Sequence, residues 1–579
     1  MSKVDTTVGQ LVEMIERGEL RLPEMQRRYV WTATRVRDLF DSLYRGYPSG
    51  TVLVWDTDAE QPARDLVVGQ KTSPFAHFKL LLDGQQRLTS LSAVLRGEPI
   101  NVRNRKRPIQ IAFNLDHPEG SPVESEDIED DDSVDSSDND DIPEDADDNE
   151  TENEQGAVLD RINQRVFSVA SKQILKKPNW VNVSDVFAEG SADWNFLKRI
   201  VDSPADPKYN LYSERLQKLR RIRQYPYVMQ VLDRDLSYEE VTDIFVRVNS
   251  LGMKLRGSDL ALAQITAKWQ NSLPLFEAFR EECEDSGFTI DVGLLVRVMV
   301  VFATRQSRFK TVTSIPLETM HESWKKAKEG VRFALNFLRS NAGIENESLL
   351  ASPMLIIPIA TYGVLCSGDL GSGTEGEILR WLFAANAKSH YSTSSESTLD
   401  SDLAVLFRGG SFSDLVVPIK QTYGRLHVEP GELKGRGIRS PLFGMMYLAL
   451  KFGGAKDWKT GLGLSLAHQG TQHYIEYHHI FPKSLLKKAG YEKSEINAIA
   501  NMAFISGRSN RSISNKKPVD YLPKIVGQRG EEALTSQLIS LDTNLWEIEN
   551  YQEFLAERRE RLAKEINDFV DRTCANGSV

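Results

Sequence analysis

The sequence predicts a multidomain α+β protein with three parts. Its 579 residues are too many for a single hydrophobic core. Near the N-terminus, the apolar strand candidates TVLVW and FKLLL alternate with segments of helical periodicity, and the middle of the chain is mostly helical. Near the C-terminus, two short strand-like segments and a capped helix follow one another. We therefore predict domains at residues 1–265, 266–440 and 441–579.

The charge of the chain is distributed unevenly. The formal net charge is −11, but residues Glu124 to Glu154 contain eighteen acidic side chains and no Lys or Arg. Without that stretch, 71 basic residues face 64 acidic ones, a net charge of +7 that permits nucleic-acid binding. We expect the acidic insertion, about residues 120–155, to be a disordered loop, because it has too few apolar residues to offset the entropy of ordering. A DNA mimic and an autoinhibitory tether are the functional alternatives.

Nothing in the sequence indicates a membrane or an oxidising compartment. The longest apolar runs, at residues 293–303 and 353–366, are too short or too interrupted for the ~20 residues that span a bilayer, and we expect them to be core helices. The first ten residues lack a signal-peptide pattern. Three scattered cysteines suit a reducing cytosol. We therefore expect a cytoplasmic protein.

The elements follow from periodicity and turn residues. Residues 1–22 show a helical pattern, and a second helix capped by Thr32 or Thr34 should end near Arg45. TVLVW, FKLLL, VFSVASKQI and YPYVMQVLD are strand candidates, whereas residues 236–460 are mostly helical. We expect the aromatic rings of Tyr29, Trp31 and Tyr47 in the core rather than as base-stacking platforms. The amphipathic last helix, YQEFLAERRERLAKEINDFV, can pack on the C-terminal domain or form a homodimer.

One turn in the N-terminal domain has the features of an anion site. An apolar strand runs into Asp83-Gly84, and a helix follows at once. This order points backbone N–H groups at a bound anion, and Arg87 adds a fork suited to phosphate. The alternative is a plain turn with solvated arginines.

Two blocks around this turn carry a family resemblance. LPEMQRRYVW and LLDGQQRLTSL, joined by GYPSGTVLVW, together with residues 241–265, resemble the N-terminal domain of GmrSD-type and SspE-type restriction enzymes, in the ParB/sulfiredoxin-like superfamily. The resemblance implies nucleotide binding and hydrolysis, without deciding among GTP, UTP, CTP and ATP. It implies catalytic roles for Asp83 and Gln86. The nucleotide-binding residues it implies are Gln26, Arg27, Asp83, Gly84, Gln85, Gln86 and Arg87.

The C-terminal stretch supplies the residue types of a hydrolytic site. His478 and His479 are adjacent, and adjacent side chains on a strand face opposite ways. One imidazole can therefore bind a metal while the other faces a substrate. Phosphodiester cleavage needs a base that works near neutral pH and a cation that neutralises the phosphate. Surface histidines and a structural zinc site are the alternatives, although no cysteine lies near enough to complete a zinc set.

This stretch resembles the HNH, or ββα-metal, nuclease family. The match is to x-H-I-x-P-x-S from His478 to Ser484 and to N-x-x-x-x-S-x-x-x-N-R from Asn501 to Arg511. It implies that His479 is the general base, that His478 and Asn510 bind the metal, and that Asn501 belongs to the catalytic set by orienting the hairpin. The expected phosphate contacts are Arg508, Arg511, Lys516 and Lys517.

Two departures from the HNH pattern bear on the metal. Many members have Asp where this chain has His478, and the loop before Asn501 is longer here than in the CRISPR enzymes. An imidazole ligand widens the choice from Mg²⁺ or Mn²⁺ to Ni²⁺ or Zn²⁺.

Together the two resemblances predict a function. We expect a modification-dependent restriction endonuclease in which NTP hydrolysis by the N-terminal domain regulates HNH cleavage of modified phage DNA. Residues 266–440 would then be a helical coupling region. The alternative is a nucleotide-switched, ParB-like DNA-binding regulator that does not cleave.

Deleting residues 124–154 tests the interpretation of the acidic insertion. We expect the melting temperature to stay nearly unchanged, because a loop with so few apolar residues contributes little to a core. Differential scanning calorimetry of both chains measures this. A large drop in melting temperature would show that the stretch packs against the domain.

Overall fold

The computed structural model describes residues 2–23, 31–58, 63–64, 77–102, 107–118, 164–251, 257–392, 395–464, 475–513 and 515–579. These residues form two compact units, Met1–Asn271 and Ser272–Val579. The predicted disorder of the acidic insertion, and the predicted roles of Gln26 and Arg27, fall outside the described residues. The division into three functional domains stays a prediction.

A six-stranded mixed sheet organises the first unit. Its strands are β1 (Ser2–Thr7), β2 (Leu20–Pro23), β3 (Val52–Asp58), β4 (Ala63–Arg64), β5 (His77–Asp83) and β9 (Pro226–Leu232), in the order β1-β9-β3-β5-β2-β4. β9 runs parallel to β3, and β5 runs parallel to β2; the other pairs are antiparallel. A separate antiparallel sheet holds β6 (Ile111–Asn114) between β7 (Phe167–Val169) and β8 (Trp180–Asn182).

A hydrophobic core covers each face of the large sheet. Successive side chains of a strand point to opposite sides, so neighbouring residues of β3 belong to different cores. Val52 and Val54 join the larger core, which includes the helices before and after β3. Leu53 and Trp55 join a smaller core on the other face. The helices of this unit are Val8–Glu16, Ala33–Arg45, Gln85–Arg96, Lys172–Lys176, Val183–Phe187, Asp193–Leu197, Pro207–Arg220, Tyr238–Leu251 and Gly257–Lys268.

The N-terminal unit confirms most of the predicted elements. The helix after Thr32 ends at Arg45, and TVLVW, FKLLL and YPYVMQVLD lie in strands. The first 22 residues were predicted as helical only, which is wrong at both ends, because strands β1 and β2 flank the helix. Trp31 packs against the core, but Tyr47 is 47% exposed, so its predicted core position is wrong.

The second unit is built mainly of helices. The two longest apolar runs form helices Val292–Thr304 and Ile356–Leu365, as predicted. No helix among the described residues is long and apolar enough to cross a membrane. The remaining helices are Ser272–Asp285, Leu317–Ser340, Thr374–Ala387, Ser395–Phe407, Phe412–Tyr423, Pro441–Phe452, Lys483–Lys488, Lys493–Ile496, Gly507–Ile513, Pro518–Arg529, Glu532–Thr535 and Tyr551–Asn576.

The predicted order of strand, loop, strand and helix is present near the C-terminus. β10 (Ile475–His479) pairs with β11 (Met502–Ser506) in an antiparallel hairpin, and helix Gly507–Ile513 follows β11 directly. The structure thus confirms a mixed α and β architecture. The ParB-like and ββα-metal folds stay predictions.

Every residue of β11 is buried, yet among the described residues the strand pairs with β10 alone. The side chain of Gln537 occupies part of its other edge. Gln537 Oε1 accepts from Phe504 N at 2.9 Å, and Gln537 Nε2 donates to Phe504 O at 2.6 Å. One amide side chain therefore supplies the bonds that a third strand would make at this residue.

Substituting Gln537 with Ala tests this role. We expect the Met502–Ser506 amides to exchange with deuterium about tenfold faster or more, because an unsatisfied buried group costs about 1–3 kcal/mol. Hydrogen–deuterium exchange with peptide mass spectrometry measures the rate. Gln528, which is exposed, is the matched control. Unchanged exchange in Gln537→Ala would contradict the role.

Candidate functional site

His478 is buried in the hairpin and lies close to Asn510. His478 Nδ1 is 2.7 Å from Asn510 Oδ1, and the imidazole is only 4% exposed. Its ring makes edge contacts with Trp458 and Tyr521. Burial lowers the pKa of His478 to about 4, and the Asn510 hydrogen bond only partly opposes this. The imidazole is therefore neutral at pH 7, which is the form that binds metals.

His478 Nδ1 and Asn510 Oδ1 are close enough to bind the same cation. Ligands about 2.1 Å from one ion at a right angle lie about 3 Å apart, close to the separation of Nδ1 and Oδ1. The other ring nitrogen also has an orienting partner, since His478 Nε2 is 3.5 Å from Tyr521 Oη, which in turn donates to Ile480 O at 2.9 Å. Among the described residues, no group of three or more His, Cys, Asp or Glu side chains is placed to hold a metal.

His479 faces a different set of neighbours from His478. His479 Nε2 is 3.1 Å from Asn497 Oδ1. With Nε2–H donating to that oxygen, the basic lone pair of the neutral ring lies on Nδ1. Burial, and to a smaller extent the charge of Lys483, lowers the pKa of His479 to about 4. The Asn497 hydrogen bond acts in the opposite direction. The imidazole is therefore unprotonated at neutral pH.

Asn501 fastens the loop that follows the histidine pair. It is fully buried, and its Oδ1 accepts from Phe481 N at 2.9 Å. Its Nδ2 donates to Phe481 O and to Ile496 O, each at 3.1 Å. All three bonds go to backbone atoms, so the geometry gives Asn501 the positioning role that the family resemblance implied.

Asp457 joins the end of β11 to the following helix, and sequence reasoning missed it. Asp457 Oδ2 accepts from Ser506 N at 2.6 Å, and Asp457 Oδ1 accepts from Ser509 Oγ at 2.9 Å and from Thr460 N at 2.7 Å. Burial alone raises the pKa of Asp457, but these hydrogen bonds outweigh it and lower the pKa below its ordinary value. The carboxylate therefore fixes the helix that carries Asn510.

Three of the four predicted phosphate contacts lie on the surface, in the segment that follows β11. Arg508, Lys516 and Lys517 are exposed, and Lys516 Nζ donates to Ser512 O at 3.0 Å. Arg511 lies in helix Gly507–Ile513, and its side chain is outside the described residues. Lys483 and its neighbours Lys487 and Lys488 are also exposed, on the helix after His479. The sequence analysis did not single out this second basic helix.

The turn at Asp83 has the predicted geometry. Asp83 ends β5, Gly84 has φ +99°, and helix Gln85–Arg96 begins at the next residue. A positive φ is readily adopted only by glycine. Gln86 Oε1 accepts from Trp31 N at 3.2 Å, and Asp83 has a side chain that is 41% exposed.

Arg87 makes contacts that the sequence did not predict. Its guanidinium donates to Ser49 O, to Thr51 O at 2.8 Å and to Asp83 Oδ2 at 3.4 Å. A Cβ atom on Gly50, which has φ +89°, would overlap this guanidinium. Arg87 thus holds the loop before β3 against the Asp83 turn. A phosphate role for Arg87 stays a prediction.

The chain is similar to known proteins in two respects, and the first concerns the N-terminal unit. Residues 8–266 match the family model described as the GmrSD restriction endonuclease, N-terminal domain. The matched residues lie within the first compact unit, so the predicted similarity to GmrSD-type proteins is supported for that unit.

The second comparison extends over both units. The chain is 22% identical over 566 residues to the uncharacterized protein MJ0686 of Methanocaldococcus jannaschii, covering 89% of this chain and 86% of that protein. That relative brings no function with it. The HNH resemblance of the second unit stays a prediction.

Proposed function

We propose that the chain is a restriction-type DNA endonuclease in which the β10–β11 hairpin cleaves DNA with one divalent cation. The observation that supports this most directly is the pair His478 Nδ1 and Asn510 Oδ1, which lie 2.7 Å apart beside a second, separately oriented imidazole. The family match of residues 8–266 supports the restriction role. Modified phage DNA is the proposed substrate.

The proposed chemistry divides the work between the two histidines. His479 removes a proton from the attacking water through Nδ1, while Asn497 holds its Nε2–H. His478 and Asn510 would hold the cation, which supplies charge neutralisation for the phosphate and the leaving oxygen. Asn501 fastens the loop after His478, and Asp457 fastens the helix that carries Asn510. Together they would keep the two metal ligands in position relative to each other.

Basic side chains on both sides of the hairpin would bind the DNA backbone. Arg508, Lys516 and Lys517 follow β11, and Lys483 follows β10. Contacts of this kind position a duplex without reading its sequence. Recognition of the modification must then come from another part of the chain, and we assign it to the N-terminal unit.

In the N-terminal unit, we propose that an NTP binds at the Asp83 turn. The N–H groups of a helix N-terminus and an exposed carboxylate support this, since such turns bind phosphates and the carboxylate can hold the metal of a nucleotide. Asp83, Gln86 and the loop that Arg87 fastens would form the hydrolytic site. Hydrolysis there would regulate cleavage.

The first functional prediction concerns His479→Ala. We expect plasmid nicking with Mg²⁺ or Mn²⁺ to fall about 10²–10⁴-fold while DNA binding persists, because the base is lost and the phosphate contacts remain. Agarose gels give the nicking rate, and mobility shifts give the affinity. His427→Ala removes a half-exposed histidine of the same unit and serves as the control. DNA binding without nicking by the unsubstituted chain would favour the regulator instead.

The second functional prediction concerns Asp83→Asn. We expect it to abolish NTP hydrolysis and restriction of modified phage in cells, because the substitution keeps the size of the side chain and removes its charge. Asp38→Asn, on an exposed helix position, is the matched control. Phosphate release and plating efficiency are the measurements. Restriction that survives loss of hydrolysis would show that the nucleotide site does not regulate the nuclease.

A further inference from the structure

A cavity of about 320 Å³ lies in the N-terminal unit, among residues that the proposed function does not use. Among the described residues, three basic side chains, Arg45, Arg215 and Lys218, line it together with one carboxylate, Glu214. Two other carboxylates lie nearby: Asp41 pairs with Arg45 at 2.7 Å, and Asp116 accepts from Tyr212 Oη at 3.0 Å. With Arg45 offset by Asp41, Arg215 and Lys218 against Glu214 leave the described lining with one net positive charge.

One wall of the cavity has a fixed hydrogen-bond direction. His117 Nδ1 is 2.9 Å from Pro118 O, so Nδ1 carries the proton. The other nitrogen, His117 Nε2, then accepts from Tyr44 Oη at 3.1 Å. Burial lowers the pKa of His117 and raises the pKa of Tyr44 to about 12, so both groups are neutral at pH 7. The polar groups of this wall are already paired with each other.

Because Arg45 already pairs with Asp41, a ligand would be bound by the other two cations, Arg215 and Lys218. Arg215 is buried and donates to Leu115 O at 2.6 Å, which fixes its position in the wall. Lys218 Nζ lies 4.4 Å from the centroid of the Tyr44 ring. Among the residues that the structure describes, no carboxylate or carbonyl pairs with Lys218. Its ammonium is thus held at the cavity with its hydrogen-bond donors available.

We propose that this cavity binds a phosphate monoester through Arg215 and Lys218. A phosphate monoester carries close to two negative charges and three acceptor oxygens, which suits a guanidinium group beside an ammonium group. The volume is at the small end of ligand pockets, which span about 300–1,000 Å³, so a monophosphate with one small organic group fits and a polymer does not. The site is separate from the proposed NTP site at Asp83.

The test is calorimetric titration of the full chain with three probes: adenosine 5′-monophosphate, inorganic phosphate and adenosine. We expect the monophosphate to bind, inorganic phosphate to bind more weakly, and adenosine not to bind. Lys218→Ala should weaken monophosphate binding about tenfold or more, because a charge-assisted hydrogen bond is lost. Lys208→Ala removes an exposed lysine from the same helix and should change nothing. Lys218→Arg should retain binding.

Four results would overturn the proposal. Equal binding by the unsubstituted chain and Lys218→Ala would exclude the cavity, and loss of binding in Asp83→Asn alone would move the ligand to the NTP site. Binding of adenosine as tightly as its monophosphate would exclude recognition of phosphate. Pro118 and Val166 line the cavity and flank the acidic stretch in sequence, so the titration is repeated without residues 124–154. Absence of binding in both chains is the fourth such result.

Discussion

The candidate nuclease site depends on the satisfaction of backbone groups in one buried strand. A two-stranded hairpin is only marginally stable by itself, and β11 is buried at all five residues. Its free edge therefore needs partners from elsewhere in the fold. Gln537 bonds both backbone groups of Phe504, and Asp457 takes the N–H of Ser506. Without these bonds, the strand that places Asn510 opposite His478 would have unpaired polar groups in the core.

A buried arginine in the last helix also supports the hairpin. Arg558, in helix Tyr551–Asn576, is almost fully buried, and it donates to Ala500 O at 2.7 Å and to Gln537 O at 3.1 Å. Burial lowers the pKa of Arg558 to about 9, so the group remains charged at pH 7. Arg558 thereby fixes Ala500, which precedes Asn501, and Gln537, which bonds the free edge of β11. The amphipathic pattern predicted this helix, but it did not predict that one arginine would connect it to the hairpin.

The parts of the fold that could be predicted are those that local pattern determines. The strand and glycine turn at Asp83, and the strand–loop–strand–helix order at His478, follow from short runs of residues. Strand β1 could not be found in this way, because its SKVDTT sequence is mostly exposed and it pairs with β9, more than two hundred residues away. Asp457 and Gln537 were missed for the same reason: they act across 49 and 33 residues. At Phe504 and Ser506 they contact backbone atoms, which leave no motif.

The neutral state of both imidazoles limits how the proposed cation can be bound. His478 and Asn510 carry no charge at pH 7, since burial keeps the pKa of His478 near 4. Uncharged ligands bind a divalent cation weakly, and affinity at oxygen-rich sites rises with the number of charged ligands. In the part of the chain that the structure describes, no group of three or more His, Cys, Asp or Glu side chains is placed to hold a metal, and the phosphate of the proposed DNA substrate would supply the negative charge. A site of this kind gains most of its affinity for the cation when substrate is in place, so cation binding and DNA binding should reinforce each other. Such coupling is reciprocal: if bound DNA strengthens cation binding, the bound cation strengthens DNA binding by the same factor. The cation can therefore favour the DNA-bound state without an acidic ligand on the hairpin.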